Sequence, residues 1–291
     1  MEWLVFAALA AVFYVLISLI SKKLMDGIDP TVFTAILITL GLIFYTPVFL
    51  YRFELTQLIE ASTIIKFISI SLILNILGWF SYNYAIKNDP VSTVMPLNRL
   101  QPVFVAIFGF FLLNEAVTFK VALGVMMASL GGYIVLIKDA KHLLSPFQEI
   151  FSDRGEQMAI LSGLTFAGAA IVDRTITTTI DPLIHAFFLL IGMTVAFNIF
   201  NYRKHANYTK IVKKQLTSHK KLYTVAGLLQ ASALAFILTA FSLQEASRVV
   251  PVLQLQVPLT VIAGGALFEE ENILVKLIGS IILLIGVFLV V

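Results

Sequence analysis

The chain has 291 residues, 59% hydrophobic and 13% charged, with a formal charge of +3 and a mean hydropathy of +0.95. That balance excludes a water-soluble helical core, which would show polar faces at the 3.6-residue period, and describes a membrane protein built from apolar runs of about 20 residues. The absence of cysteine excludes disulfides, thiolate metal sites and thiol catalysis.

Breaks at charged, Pro, Gly and Asp residues predict ten spans. In chain order they are about 3–21, 31–51, 63–86, 91–113 and 118–137, then 157–177, 183–202, 221–243, 247–268 and 272–291. Lys22 and Lys23 follow the first run and no basic n-region precedes it, so it reads as a retained helix rather than a cleaved signal peptide. Most loops are short. Residues 138–156 form an amphipathic connector suited to the headgroup region or to water. The loop 203–220 gathers Arg203, Lys204, Lys210, Lys213, Lys214 and Lys220, with Lys221 at its edge, a topology signal rather than a nucleic-acid patch.

The two sets of five spans match. Asp29-Pro30 corresponds to Asp181-Pro182, Asn75 to Gln230, Pro102 to Pro258, Glu115 to Glu270, Gly124 to Gly279 and Gly131 to Gly286, at separations of 152 to 156 residues. An odd number of spans per unit makes the second unit enter the membrane from the opposite side. The expected fold is therefore an all-α membrane protein of ten transmembrane helices in two inverted five-helix repeats, an architecture common among secondary transporters. The units are residues 1–137 and 157–291, joined by 138–156.

A proline in the fourth helix of each repeat is followed by glutamate and then glycine: Pro102, Glu115 and Gly124, then Pro258, Glu270 or Glu271, and Gly279. This pattern resembles the EamA-type members of the drug/metabolite transporter superfamily over almost the whole chain. The resemblance implies a metabolite transporter with cytoplasmic termini. Charge points the other way. Loops after spans one, three, five, seven and nine hold about fourteen Lys/Arg, against about three after spans two and four, which places the first set in the cytoplasm and the termini outside.

Candidate binding residues lie where polarity interrupts the apolar runs. The segments 95–104 and 251–260 both set amide side chains beside two prolines. A proline removes a helix hydrogen bond and frees the carbonyl four residues earlier, so Pro102 and Pro258 are expected to kink their helices at Asn98 and Gln254. Pro96 and Pro251 read as helix-start prolines with no bond to lose, near serines that could cap. Arg99 lies deep in its span and suits a carboxylate or phosphate. Gln101 is also a candidate, although at 100° per residue Arg99 and Gln101 are expected on different faces, as are Gln254 and Gln256. Asn75, Trp79 and Tyr82 make one stripe bordered by Asn83, and Gln230 matches Asn75. Spans three, four, eight and nine are thus expected around the cavity. Tyr14 joins the set.

Other polar residues read as structural. Asp173-Arg174 falls at a helix end, where Arg174 snorkels; His185 lacks a metal-ligand companion, and Glu115, Glu269, Glu270 and Glu271 read as turn and helix-start residues. The small residues Gly124, Ala128 and Gly132 form a strip for close helix contact, within the chain or in a homodimer.

The function expected is secondary transport of a small polar or anionic metabolite (amino acid, organic acid or phosphorylated compound) by alternating access in a multi-pass plasma-membrane protein. Its partners are lipid and a small-molecule substrate, with no nucleic acid, no cofactor and no metal. A channel or receptor is the alternative. An intramembrane enzyme is disfavoured because neither a metalloprotease motif nor a nucleophile–base pair is present. No span shows a clear mid-membrane carboxylate, although coupling through Asp173 stays open.

Overall fold

The computed structural model describes residues 1–52, 64–89, 91–136, 153–265 and 273–291. The connector centred on 138–152 and the acidic turn at 269–271 lie outside them. Thirteen helices make up the regular structure of the described residues: α1 (Glu2–Leu24), α2 (Pro30–Arg52), α3 (Ile65–Asn88), α4 (Val91–Asn98), α5 (Gln101–Leu113), α6 (Phe119–Leu136), α7 (Arg154–Thr177), α8 (Pro182–Lys204), α9 (Tyr208–Ser218), α10 (Lys220–Leu243), α11 (Ala246–Leu253), α12 (Gln256–Gly265) and α13 (Ile273–Val290). The short α9 lies in the basic loop; the others make ten spans, because the fourth and ninth are each built from two helices.

Local chemistry sets the helix starts. Asp29 accepts from the Thr31 N–H at 3.0 Å and Asp181 from the Leu183 N–H at 2.7 Å. Pro30 and Pro182 are the first residues of α2 and α8. The carboxylate satisfies a donor that a helix start leaves orphaned, and proline loses nothing there.

The prolines of spans four and nine do more than kink. Regular helix ends at Asn98 and resumes at Gln101, and ends at Leu253 and resumes at Gln256. At the breaks the chain closes short i→i+3 bonds, Leu100 N–H to Leu97 C=O (3.2 Å) and Leu255 N–H to Val252 C=O (3.0 Å). The Gln254 carbonyl is not free as expected, since it accepts from the Val257 N–H at 2.9 Å. Pro251 lies in the second turn of α11 rather than at its start. Neither piece of span four could cross roughly 30 Å of hydrocarbon alone at 1.5 Å per residue, but together they can.

Packing follows a two-fold pattern. α6 lies along α13, α2 along α8, α3 along α7 and α1 along α10. Exchanging the halves returns the first two pairs to themselves and converts the third into the fourth. Both self-paired contacts are antiparallel. Thr31 bonds Asn201 and Tyr45 bonds the Leu183 carbonyl, while Gly124 meets Gly286 and Gly131 meets Gly279. Symmetry mates that run antiparallel require an axis across the helices, which is the inversion an odd-span repeat demands.

Glycine is needed at these contacts. A Cβ on Gly131 would lie 2.6 Å from the Gly279 carbonyl oxygen, and one on Gly124 would lie 2.7 Å from that of Gly286. Those distances are within the repulsive wall, so the helices approach this closely only without side chains. The strip is Gly124, Ala128 and Gly131, not Gly132, and it is spent inside the chain rather than on a dimer surface. Gly132 instead faces the Arg99 side chain at 3.5 Å. Leu16, Ile73, Phe111, Ile199 and Leu284 remain exposed, as lipid-facing positions do.

Candidate functional site

A cavity of about 250 Å³ lies between the repeats. Nine of the ten residues singled out from sequence line it: Tyr14, Asn75, Trp79, Tyr82, Asn98, Arg99, Gln101, Gln230 and Gln254. Gln256 joins them. The conflict between Arg99 and Gln101, and between Gln254 and Gln256, disappears because each pair straddles a helix break. The 200° offset holds only within one continuous helix.

The walls extend further than spans three, four, eight and nine. Ile38 of α2, Phe166 and Asp173 of α7, and Leu189 and Met193 of α8 also contribute, so among the described residues only those of spans five and ten stand outside. Asn83 is the exception among the candidates. One residue past Tyr82, it turns toward α2, where it donates to the Thr34 hydroxyl at 3.0 Å and is buried.

Arg99 sits in the break between α4 and α5, and its Nη1 donates to Oε1 of Gln254 at 3.1 Å. This bond joins the break of one repeat to that of the other. Arg99 Nε is buried without a partner among the described residues, leaving a donor for a ligand oxygen. Asn98 is committed differently, donating to Ser162 Oγ of α7 at 2.7 Å. Asn75 donates back to Ser71 within its own helix. Trp79 packs edge-on to Tyr82 (6.0 Å between centroids) and to Phe166 (5.7 Å), so the aromatic stripe both lines the cavity and seats α3 on α7.

Sequence reasoning misplaced one acid and one histidine. Asp173 is buried on the cavity wall, and its Oδ1 accepts from Ser71 Oγ and lies 2.7 Å from His185 Nε2. His185 is wholly buried. Arg174 turns away and donates to the Phe241 carbonyl. The Asp173–His185 spacing of twelve residues spans a helix hairpin, a relation that no single-helix pattern displays.

The two ends of the molecule are tied by charge. At one end Lys87 and Lys204 reach Asp29 Oδ2 at 2.7 and 3.1 Å. Burial would raise the Asp29 carboxyl pKa, but hydrogen bonds from Lys87, Thr31 and Lys204 outweigh it and hold it well below the ordinary range. At the other, Glu115 accepts from the Ala246 and Ser247 N–H groups at 2.9 and 3.1 Å, capping α11 of the opposite repeat. The acid expected at a turn and helix start thus caps a helix start of the opposite repeat, across the interface.

The model of the EamA-like transporter family matches residues 1–137 and 153–291. An uncharacterized transporter of Archaeoglobus fulgidus is 27% identical over 122 residues, covering 42% of this chain and 42% of that protein; the similarity thus spans less than half of the relative's length. A solved protein structure superimposes with a TM-score of 0.66 over 99% of this chain and 96% of its own. At 13% identity that likeness is one of fold.

Proposed function

Because the chain belongs to the EamA-like transporter family, a family of multi-pass membrane transporters, we propose that it carries a small anionic or zwitterionic metabolite by alternating access. The observation that supports this reading is Arg99. A guanidinium at mid-span is costly unless a partner meets it, and its present partner is a neutral amide. An incoming carboxylate or phosphate would satisfy Nε and compete for Nη1, replacing a neutral acceptor by a charged one. Asn75, Gln230 and Gln254 would then complete the polar contacts, with Trp79 and Tyr82 packing the apolar part of the ligand.

Alternating access would follow from the fold. Arg99–Gln254 links the two breaks, so a ligand that takes the place of Gln254 would loosen one repeat from the other and allow the rocking that inverted repeats support. Residues 1–137 and 157–291 would be the moving units. The excess of Lys/Arg at the end holding α9 favours the cytoplasm for that end; a C-terminal tag fluorescent only in the cytosol should stay dark, and brightness would reverse the orientation.

The test is a thermal-shift screen of small carboxylates, amino acids and phosphates on purified protein and on Arg99→Ala. Anionic ligands should stabilise the wild type and not the variant. Equal stabilisation of both would remove Arg99 from the site.

A further inference from the structure

We propose that Asp173 and His185 form a proton-binding dyad on the cavity wall, whose protonation alters the hold of the second repeat on α3. The inference rests on reading the cavity as the transport path, but its observations and its test are separate from Arg99.

Asp173 lies in α7, a span, where an ionised carboxylate is costly without a partner. The partners it has do not fix its charge. Ser71 Oγ donates to Oδ1 and His185 Nε2 lies 2.7 Å from the same oxygen, whereas Arg174, the adjacent cation, is spent on the Phe241 carbonyl. A lysine or arginine partner would hold Asp173 ionised at any ordinary pH. Histidine does not, because its own charge changes between about pH 5 and 8.

The bonding pattern leaves room for one more proton. Both Asp173 contacts end on Oδ1, and His185 Nδ1 is buried without a partner among the described residues. The buried, unpartnered Nδ1 is where the ring can hold a further proton while Nε2 meets the carboxyl. A hydronium in the cavity protonates the pair and leaves water behind, the pair's net charge rises by one, and the proton rests on the ring as imidazolium. Asp173 lines the cavity while His185 is fully buried, so protons enter at the acid.

The dyad is asymmetric in a duplicated scaffold. At the 152-residue offset that relates Asp29-Pro30 to Asp181-Pro182, its counterparts are Ser21 and Phe33. The first repeat folds the equivalent hairpin without an acid or an imidazole, so the fold does not require them. The Ser71 bond crosses from the first repeat to the second, and an imidazolium on the same carboxyl oxygen weakens it by competing for the acceptor's charge.

Other charged and titratable groups surround the pair. From α2, Tyr45 donates to the Leu183 carbonyl at 3.0 Å, and Asp181 caps α8 one turn before His185. Glu115 and Glu245 lie beyond Arg174, and Arg99 and Tyr14 face the same cavity.

The test is ¹³C NMR of histidine Cε1 across a pH series on the full chain in nanodiscs. The chain has four histidines, and H185Q identifies the resonance. The His185 signal should move with pH along one titration curve, with a midpoint lowered by about one unit or more in D173N, which removes the charge that favours imidazolium. No titration in the wild type, or an unchanged midpoint in D173N, would overturn the dyad. If D173N does not fold, S71A reads the same coupling: without the hydroxyl the carboxylate relies more on the imidazolium and the midpoint rises, and an unmoved midpoint has the same negative force. Trp79 emission, measured in W3F protein, should change with that midpoint; constant emission would overturn the link to the repeat interface. None of these readouts needs a substrate, so they stand or fall apart from the Arg99 screen.

Discussion

Arg99 reaches Gln254 across the centre of the molecule, Nη1 to Oε1 at 3.1 Å, and both residues occupy breaks in their spans. The contact spans the two repeats at the point where neither has regular helix. Without ligand, removing either side chain should cost stability, and removing both should cost less than the sum. A double-mutant cycle with R99A and Q254A should give a coupling of about 1–2 kcal/mol by denaturation in one detergent. Additive effects would mean that the bond is incidental.

The glycine contacts between α6 and α13 make a steric prediction. At Gly131 a side chain would press on the Gly279 carbonyl and the Leu283 backbone, which cannot swing aside as a side chain can. G131A should lose about 1–3 kcal/mol by overpacking, and G131L should not yield folded protein. G132A, where the nearest neighbour is the flexible Arg99 side chain, should be milder in thermal denaturation.

Glu115 supplies both oxygens to the start of α11. E115A would leave two buried donors unmet, at about 1–3 kcal/mol. E115Q keeps one acceptor and should lose about half as much. If both variants denature at the wild-type temperature, the cap contributes nothing.

Asp29 predicts an acid dependence. Its folded pKa is depressed by Lys87, Thr31 and Lys204 against the upward pull of burial, so its contribution to stability is present above the ordinary carboxylate pKa of about 3.9. It is lost as pH falls through the lower folded value. The difference in melting temperature between wild type and D29N should be constant near neutrality and shrink below about pH 4. A difference that grows on acidification would reverse the assigned sign.

The fold was legible where sequence period and punctuation speak directly. Apolar run lengths give the spans, and Asp-Pro repeated before spans two and seven gives both caps and the duplication. The breaks were readable as kinks but not as full interruptions, because a proline marks a missing bond without saying how many neighbours let go. That shortfall produced the false separation of Arg99 from Gln101. Asn83 was misplaced because a stripe has an edge, and only packing against Thr34 shows which side of the edge it takes. The pairing of Asp173 with His185 is illegible in the sequence for a different reason. Each looks like a helix-end residue on its own, and their pairing depends on how the α7–α8 hairpin closes against Ser71.

The central claim is that the cavity between the repeats works as a carrier site with Arg99 as its anion-binding group, and counterflow tests it most directly. Proteoliposomes preloaded with an unlabelled small carboxylate or amino acid that stabilises the wild type would be diluted into a trace of the labelled compound. The account predicts a transient, saturable accumulation of label above its external concentration, absent in R99A liposomes. Monotonic equilibration without overshoot, or the same overshoot in R99A, would contradict it.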